Sequence, residues 1–211
     1  MKTFSAVVFF LLLSFFSGCV VKSLHPYYHE QDVVFMESLL GSWLDEDSTR
    51  WEIKPYIFSK GFMNGDSVDN SYQVELYDEP EEPQRFNAHL FRLNDKLYLD
   101  FKPIREDRYD DFLDLHLVSS HSLALLESGE DGSLTIGWFN DEWLDNLFQE
   151  NRVKISHEVV KGAMGDYGKE YVLTASTDEL QKFIRKYGLP GKEGLCIDDD
   201  NFLCIHLTKN E

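Results

Sequence analysis

The chain has 211 residues, 43% of them hydrophobic, and 38 acidic side chains against 20 basic ones, a formal net charge of −18. That length suits one domain, or one domain with additions, and is enough to bury a real core. The acidic balance excludes nucleic acid as a partner of the whole surface and repels anionic lipid headgroups, whereas it attracts cationic proteins.

Residues 1–18 read as an export leader. One positive charge stands in Met1-Lys2-Thr3, residues 4–16 are almost wholly apolar, and nothing acidic comes before Glu30. The run ends in Ser17-Gly18-Cys19, which resembles the bacterial lipobox, with Phe16 where leucine is usual. The resemblance implies cleavage before Cys19 and a diacylglyceryl group on its thiol. It also implies a mature protein held at the membrane of the cell envelope by several acyl chains, palmitate among them. Loss of Lys2 with the leader makes that form one charge more acidic. Val20 follows the cysteine, so the inner-membrane retention aspartate of enteric lipoproteins is absent and the outer membrane is favoured over the inner. Two rivals are plain secretion and a retained anchor. Residues 4–21 only just reach the roughly 17–25 needed to span a bilayer.

Residues 19–35 read as a tether, without sustained period and with Pro26 arguing against helix. A single β-rich domain then covers 36–211. Met36 to Leu40 predicts one helical turn, stopped by Gly41. Beyond it, period-two alternation predicts strands around Trp51 and Ile53 and over 72–76, 97–101, 113–117, 122–127, 134–139, 153–160, 171–175 and 202–207. A two-residue turn at Asn94-Asp95 would pair Arg92 with Leu97, Leu90 with Leu99 and Ala88 with Phe101, all on one face. A three-residue loop would pair Phe91 with Leu99 instead. The first register is preferred because it sets small Ala88 opposite large Phe101.

Two helices interrupt the strands. Residues 141–149 carry Trp143, Leu144, Leu147 and Phe148 near helical spacing, with acids in the first turn. Residues 176–188 open on a capping box, Ser176 with Glu179, and close on Gly188. Near the end, Cys196 and Cys204 form an even pair that an oxidising compartment can bridge, closing a short loop worth about 2.5 kcal/mol before strain. Two free thiols are the alternative.

The opening of the domain, Leu39-Leu40-Gly41-Ser42-Trp43, resembles the start of lipocalin-type barrels, a short helical turn followed by Gly-x-Trp at the first strand. The resemblance implies that Gly41 permits close packing, that Trp43 plugs the closed end, and that both are structural. No late arginine is placed to cover the tryptophan. The expected fold is mostly β: an antiparallel barrel or barrel-like sandwich, lipocalin-like, with two short helices.

Chemical motifs are few. His116 and His121 are five apart, hence on opposite faces of one strand, and share no metal. His25 and His29 lie in the tether. Asp198-Asp199-Asp200-Asn201 lacks the spacing of a calcium loop and reads as a turn, while Asp107, Asp110 and Asp111 read as a solvated loop. Ser119 and Ser120 lie beside His121, but a triad needs a third group. No cofactor is implied. The abundant aromatics either fill the core or line a pocket.

These features together suggest a non-catalytic, lipid-anchored binding module that takes a small apolar or amphipathic molecule through the barrel mouth. Ala88, Leu90, Leu97, Leu99 and Phe101 are the candidate pocket wall. Two alternatives stand beside it. One is an inhibitory module steered by its charge onto a cationic envelope protein. The other is a hydrolase using a carboxylate pair.

Overall fold

The structure, a computed structural model, describes residues 20–59, 66–78, 82–104, 116–161, 169–188, 196 and 202–210. Its strands are β1 (Lys22–Ser23), β2 (Gly41–Leu44), β3 (Arg50–Ser59), β4 (Asp66–Tyr77), β5 (Gln84–Leu93), β6 (Lys96–Pro103), β7 (His121–Ser128), β8 (Leu134–Phe139), β9 (His157–Lys161), β10 (Lys169–Leu173) and β11 (Phe202–Lys209). Helix α1 (Asp141–Gln149) follows β8, and α2 (Thr177–Tyr187) follows β10. Strands β2 to β8 pair antiparallel in chain order, and β11 pairs with both β8 and β2. The ring is therefore closed: an eight-stranded antiparallel barrel with two helices, lipocalin-like in form. Closure leaves its strands no open edge.

Local chemistry sets the register. Asn94 and Asp95 hold φ of 49° and 60°, the left-handed pair of a two-residue hairpin turn. Arg92 then faces Leu97, Leu90 faces Leu99 and Ala88 faces Phe101, as the volume argument predicts. Glu37–Leu39 forms a single 3-10 turn, and Gly41 turns the chain into β2 at φ 126°, a value that favours glycine. In α1, the Asn140 side chain accepts from the Trp143 N–H at 2.8 Å. At α2, the Glu179 carboxylate accepts from both the N–H and the hydroxyl of Ser176, at 3.0 and 2.8 Å. The C-terminal position after α2 is glycine because a side chain at 188 would meet Ile184, with the added carbon 2.8 Å from a methyl and 2.9 Å from the carbonyl oxygen.

Two cores result. Inside the barrel, Trp43, Trp51, Tyr72, Ala88, Leu90, Leu99, Phe101, Leu126, Ile136 and Trp138 pack together. Outside it, the excursion between β8 and β11 folds back over β5 to β7. There Phe91, Leu93, Tyr98 and Leu125 meet Leu144, Leu147, Leu173, Leu180 and Ile184. Strands covered on both faces lose their alternation, which is why 123–126 reads Leu-Ala-Leu-Leu and is buried throughout.

Three expectations change. The stretch read as a tether is part of the fold from Val20 onward. Strand β1 lies between β7 and β10, Val21, Ser23 and Tyr27 are buried, and Val20 bridges Asn140. Such a segment lacks a period because it is sandwiched between layers. In the stretch 113–117, residues 113–115 lie outside the described residues. Leu117 belongs to no strand and, with Val118, is exposed. Of 153–160, only the part from His157 belongs to a strand, and residues 153–156 lie in no regular element.

Candidate functional site

The five side chains proposed as a pocket wall do share one face, but that face is core. Ala88, Leu90, Leu99 and Phe101 are buried and Leu97 packs against them. The space left among the interior side chains is about 10 Å³. That is scarcely room for a single water, let alone an apolar ligand. The aromatic content explains the filling: Trp138 lies 5.1 Å from Phe101 and 6.2 Å from Trp51 between ring centres.

Gly41 opens β2, and Trp43 lies in the barrel core. Trp43 is buried, and its Nε1–H donates to the Leu39 carbonyl at 3.0 Å. Lys209, paired with Trp43 across β11 and β2, holds its ammonium 5.1 Å from the ring, a contact that sequence reasoning missed. Cys196 and Cys204 are joined as a disulfide with Cα atoms 6.0 Å apart. Cys19 and Asp107, Asp110, Asp111, Asp198, Asp199 and Asp200 lie outside the described residues. Among the described residues no group of three or more His, Cys, Asp or Glu is placed to hold a metal. None of their helices is long and apolar enough to cross a membrane.

A polar cluster that the sequence hid lies between barrel and outer layer. Asp100 is fully buried on the outward face of β6. One oxygen meets the Nδ1 of buried His121 at 2.7 Å, and the other accepts from the Tyr27 N–H at 2.8 Å. A carboxylate on an imidazole is half of a triad. Yet neither Ser119 nor Ser120 is bonded to His121. The second carboxylate oxygen is taken by backbone, so the arrangement fastens the N-terminal segment to the barrel. Alternation alone shows Asp100 as an ordinary outward polar residue. Only the segment laid over it makes it buried.

An apolar-floored concavity lies on the outer layer. The end of α1, the chain from Arg152 to His157 and the exposed side of α2 enclose a groove of about 740 Å³. Its floor is apolar, formed by Phe148, Val153, Ile155 and Phe183, and the Tyr187 hydroxyl donates to the Arg152 carbonyl at 2.6 Å, tying the two walls together. The Phe148 ring stacks on His157 at 4.2 Å, and His157 Nδ1 is 2.8 Å from the Ile155 carbonyl, which fixes that wall. Around the rim stand Arg152, Lys154, Lys182 and Lys186, with Glu179 the one carboxylate. A neighbouring depression shares Arg152, Lys186 and Tyr187 with it. In so acidic a chain, this is a local inversion of charge. Sequence alone does not bring Arg152 and Lys154 to Lys182 and Lys186. The sole early signal is the cationic run Lys182, Arg185, Lys186 on the exposed side of α2.

The groove can hold an elongated molecule by its apolar flank and attract an acidic group to its rim. No family model matches this chain, and no match is found among curated proteins or solved structures.

Proposed function

We propose that the protein is an exported, non-catalytic binding module, anchored in the bacterial cell envelope by a lipid on Cys19, that takes its ligand on the outside of the barrel. The contrast of volumes carries this reading. The interior leaves about 10 Å³, whereas the groove against α2 offers about 740 Å³, within the roughly 300–1,000 Å³ usual for ligand sites. A solid barrel is then the scaffold and the outer layer is the recognition surface. The leader and Ser17-Gly18-Cys19 support the address, with the outer membrane favoured over the inner.

Native mass spectrometry of the protein extracted from membranes tests this. The mass expected is that of residues 19–211 with acyl chains on Cys19, accompanied by a bound small molecule. Detection of the leader still attached, or recovery of the protein from the cytosol, would sink the address. Ligand protection mapping to the barrel interior would sink the site.

The charge of −18 favours a second reading, an inhibitory module that docks its acidic faces on a cationic envelope protein. Binding that survives high salt unchanged would argue against it. For the hydrolase reading, one carboxyl has the raised pKa an acid requires: burial, with Glu170 nearby, pushes Asp141 up to about 6. It stands at the start of α1, away from the groove.

A further inference from the structure

Resting on the outer-groove reading, we infer that the groove between α2 and the Arg152–His157 chain selects an amphipathic carboxylate, an acid group on an apolar body, and not a neutral apolar molecule. Three observations converge on that chemistry. The floor is apolar and partly aromatic, with Phe148 and Phe183 among its side chains. The rim carries four cations to one carboxylate. Of the nearby acids, Glu179 caps α2 through two hydrogen bonds from Ser176, while Glu150 pairs with the rim's own Arg152 at 3.0 Å, which leaves the three lysines, among the described residues, as the rim's cations outside an ion pair. Lys154 and Lys182 have no carboxylate within ion-pair distance among the described residues. His157 is held by the Ile155 carbonyl and the Phe148 ring, so it acts as wall.

An anion entering this rim gains Coulomb energy against an otherwise repelling surface. Its apolar body covers the floor, which water wets poorly. A neutral body covers the floor but leaves Lys154 and Lys182 without an ion-pair partner. A bare anion pairs with the lysines but leaves the floor wet. Discrimination between the three is therefore built into the groove.

The test titrates the exported protein carrying Cys19→Ser with 6-phenylhexanoate, 6-phenylhexanol, inorganic phosphate and a hexaglutamate peptide, following amide shifts by NMR. The carboxylate is expected to move residues of α2 and 152–157 saturably, to bind at least tenfold tighter than the alcohol or phosphate, and to weaken as salt rises. Lys182→Glu with Lys186→Glu, both exposed, should cut its affinity at least tenfold with an unchanged far-UV spectrum. Arg92→Glu with Lys102→Glu, the same charge change elsewhere, should leave it within twofold. Equal binding of alcohol and carboxylate overturns the inference, as does indifference to the α2 reversal. Binding of hexaglutamate alone at these residues overturns it too, while leaving the outer groove as the recognition site. Shifts confined to the barrel interior would instead defeat the outer-groove reading itself.

Discussion

Asp100 is the residue on which the N-terminal segment depends. A fully buried carboxylate is tolerated because both oxygens have partners, His121 and the Tyr27 N–H. Asp100→Ala leaves those two groups buried and unsatisfied, at a cost of about 3 kcal/mol. Urea unfolding should show that loss, and the Tyr27 amide should exchange faster with deuterium. Two other carboxyls titrate in opposite senses. Hydrogen bonding from Lys54 first, then from Tyr77, Gln73 and Arg85 against opposing burial, holds Glu75 down to about 2. Its folded pKa lies below the unfolded one, so its stabilisation is present above about pH 4.5 and is lost as pH falls toward 2. Asp141 is the reverse: with its pKa raised to about 6, the fold loses stability as pH climbs through about 4 to 6. Glu75→Gln should thus lower the melting temperature at pH 7, with the difference shrinking as pH falls toward 2. Asp141→Asn should stabilise the fold at pH 7.5 by on the order of 1 kcal/mol once partial exposure is allowed for, read as a higher melting temperature, and do nothing at pH 3.

Among the elements, β1 is the smallest and the least replaceable. Two residues, Lys22 and Ser23, join the barrel strand β7 to β10, and so tie the β9–β10 pair to the barrel. The Lys22 ammonium adds an ion pair to Glu170 at 2.6 Å. A chain beginning at residue 36, where the β-rich domain is read to start, should keep the barrel ladders yet loosen the outer layer. Hydrogen exchange would show α2 amides losing protection while β5 and β6 amides keep it. Equal protection in both would mean that the segment is dispensable. The same element marks where sequence reasoning stops. Barrel strands and both helices are legible because one face is apolar at a fixed period, and the 94–95 turn is legible because few residues accept positive φ. Strand β1 is too short to show a period, and both its surroundings are remote in sequence. Alternation also shows which face Ala88, Leu99 and Phe101 take. It cannot show that Trp51 and Trp138 meet them in the middle and leave no pocket.

For the whole molecule, the absence of a loose tether alters what a lipid on Cys19 would do. Val20, the next residue, already bridges Asn140, and the Val21 N–H donates to the Phe139 carbonyl at 2.9 Å. The first turn of α1 follows at once, with Glu142 exposed. An acylated protein would therefore sit with this corner against the headgroups, not swing on a leash. Acids on that corner limit how closely it approaches anionic lipid, which makes zwitterionic vesicles the fair test surface. A fluorescent label on Glu142→Cys in the acylated protein should be quenched by a headgroup-bound quencher. A flexible insert of about 20 residues between Cys19 and Val20, with an r.m.s. span of roughly 25 Å, should remove most of that quenching while the melting temperature stays the same. Quenching that is indifferent to the insert would mean that the corner does not face the membrane. If the insert lowered the melting temperature, residues before Val20 would be contributing to the fold. Weak quenching at an unchanged melting temperature would tie the orientation of the groove to the bilayer through a single covalent link.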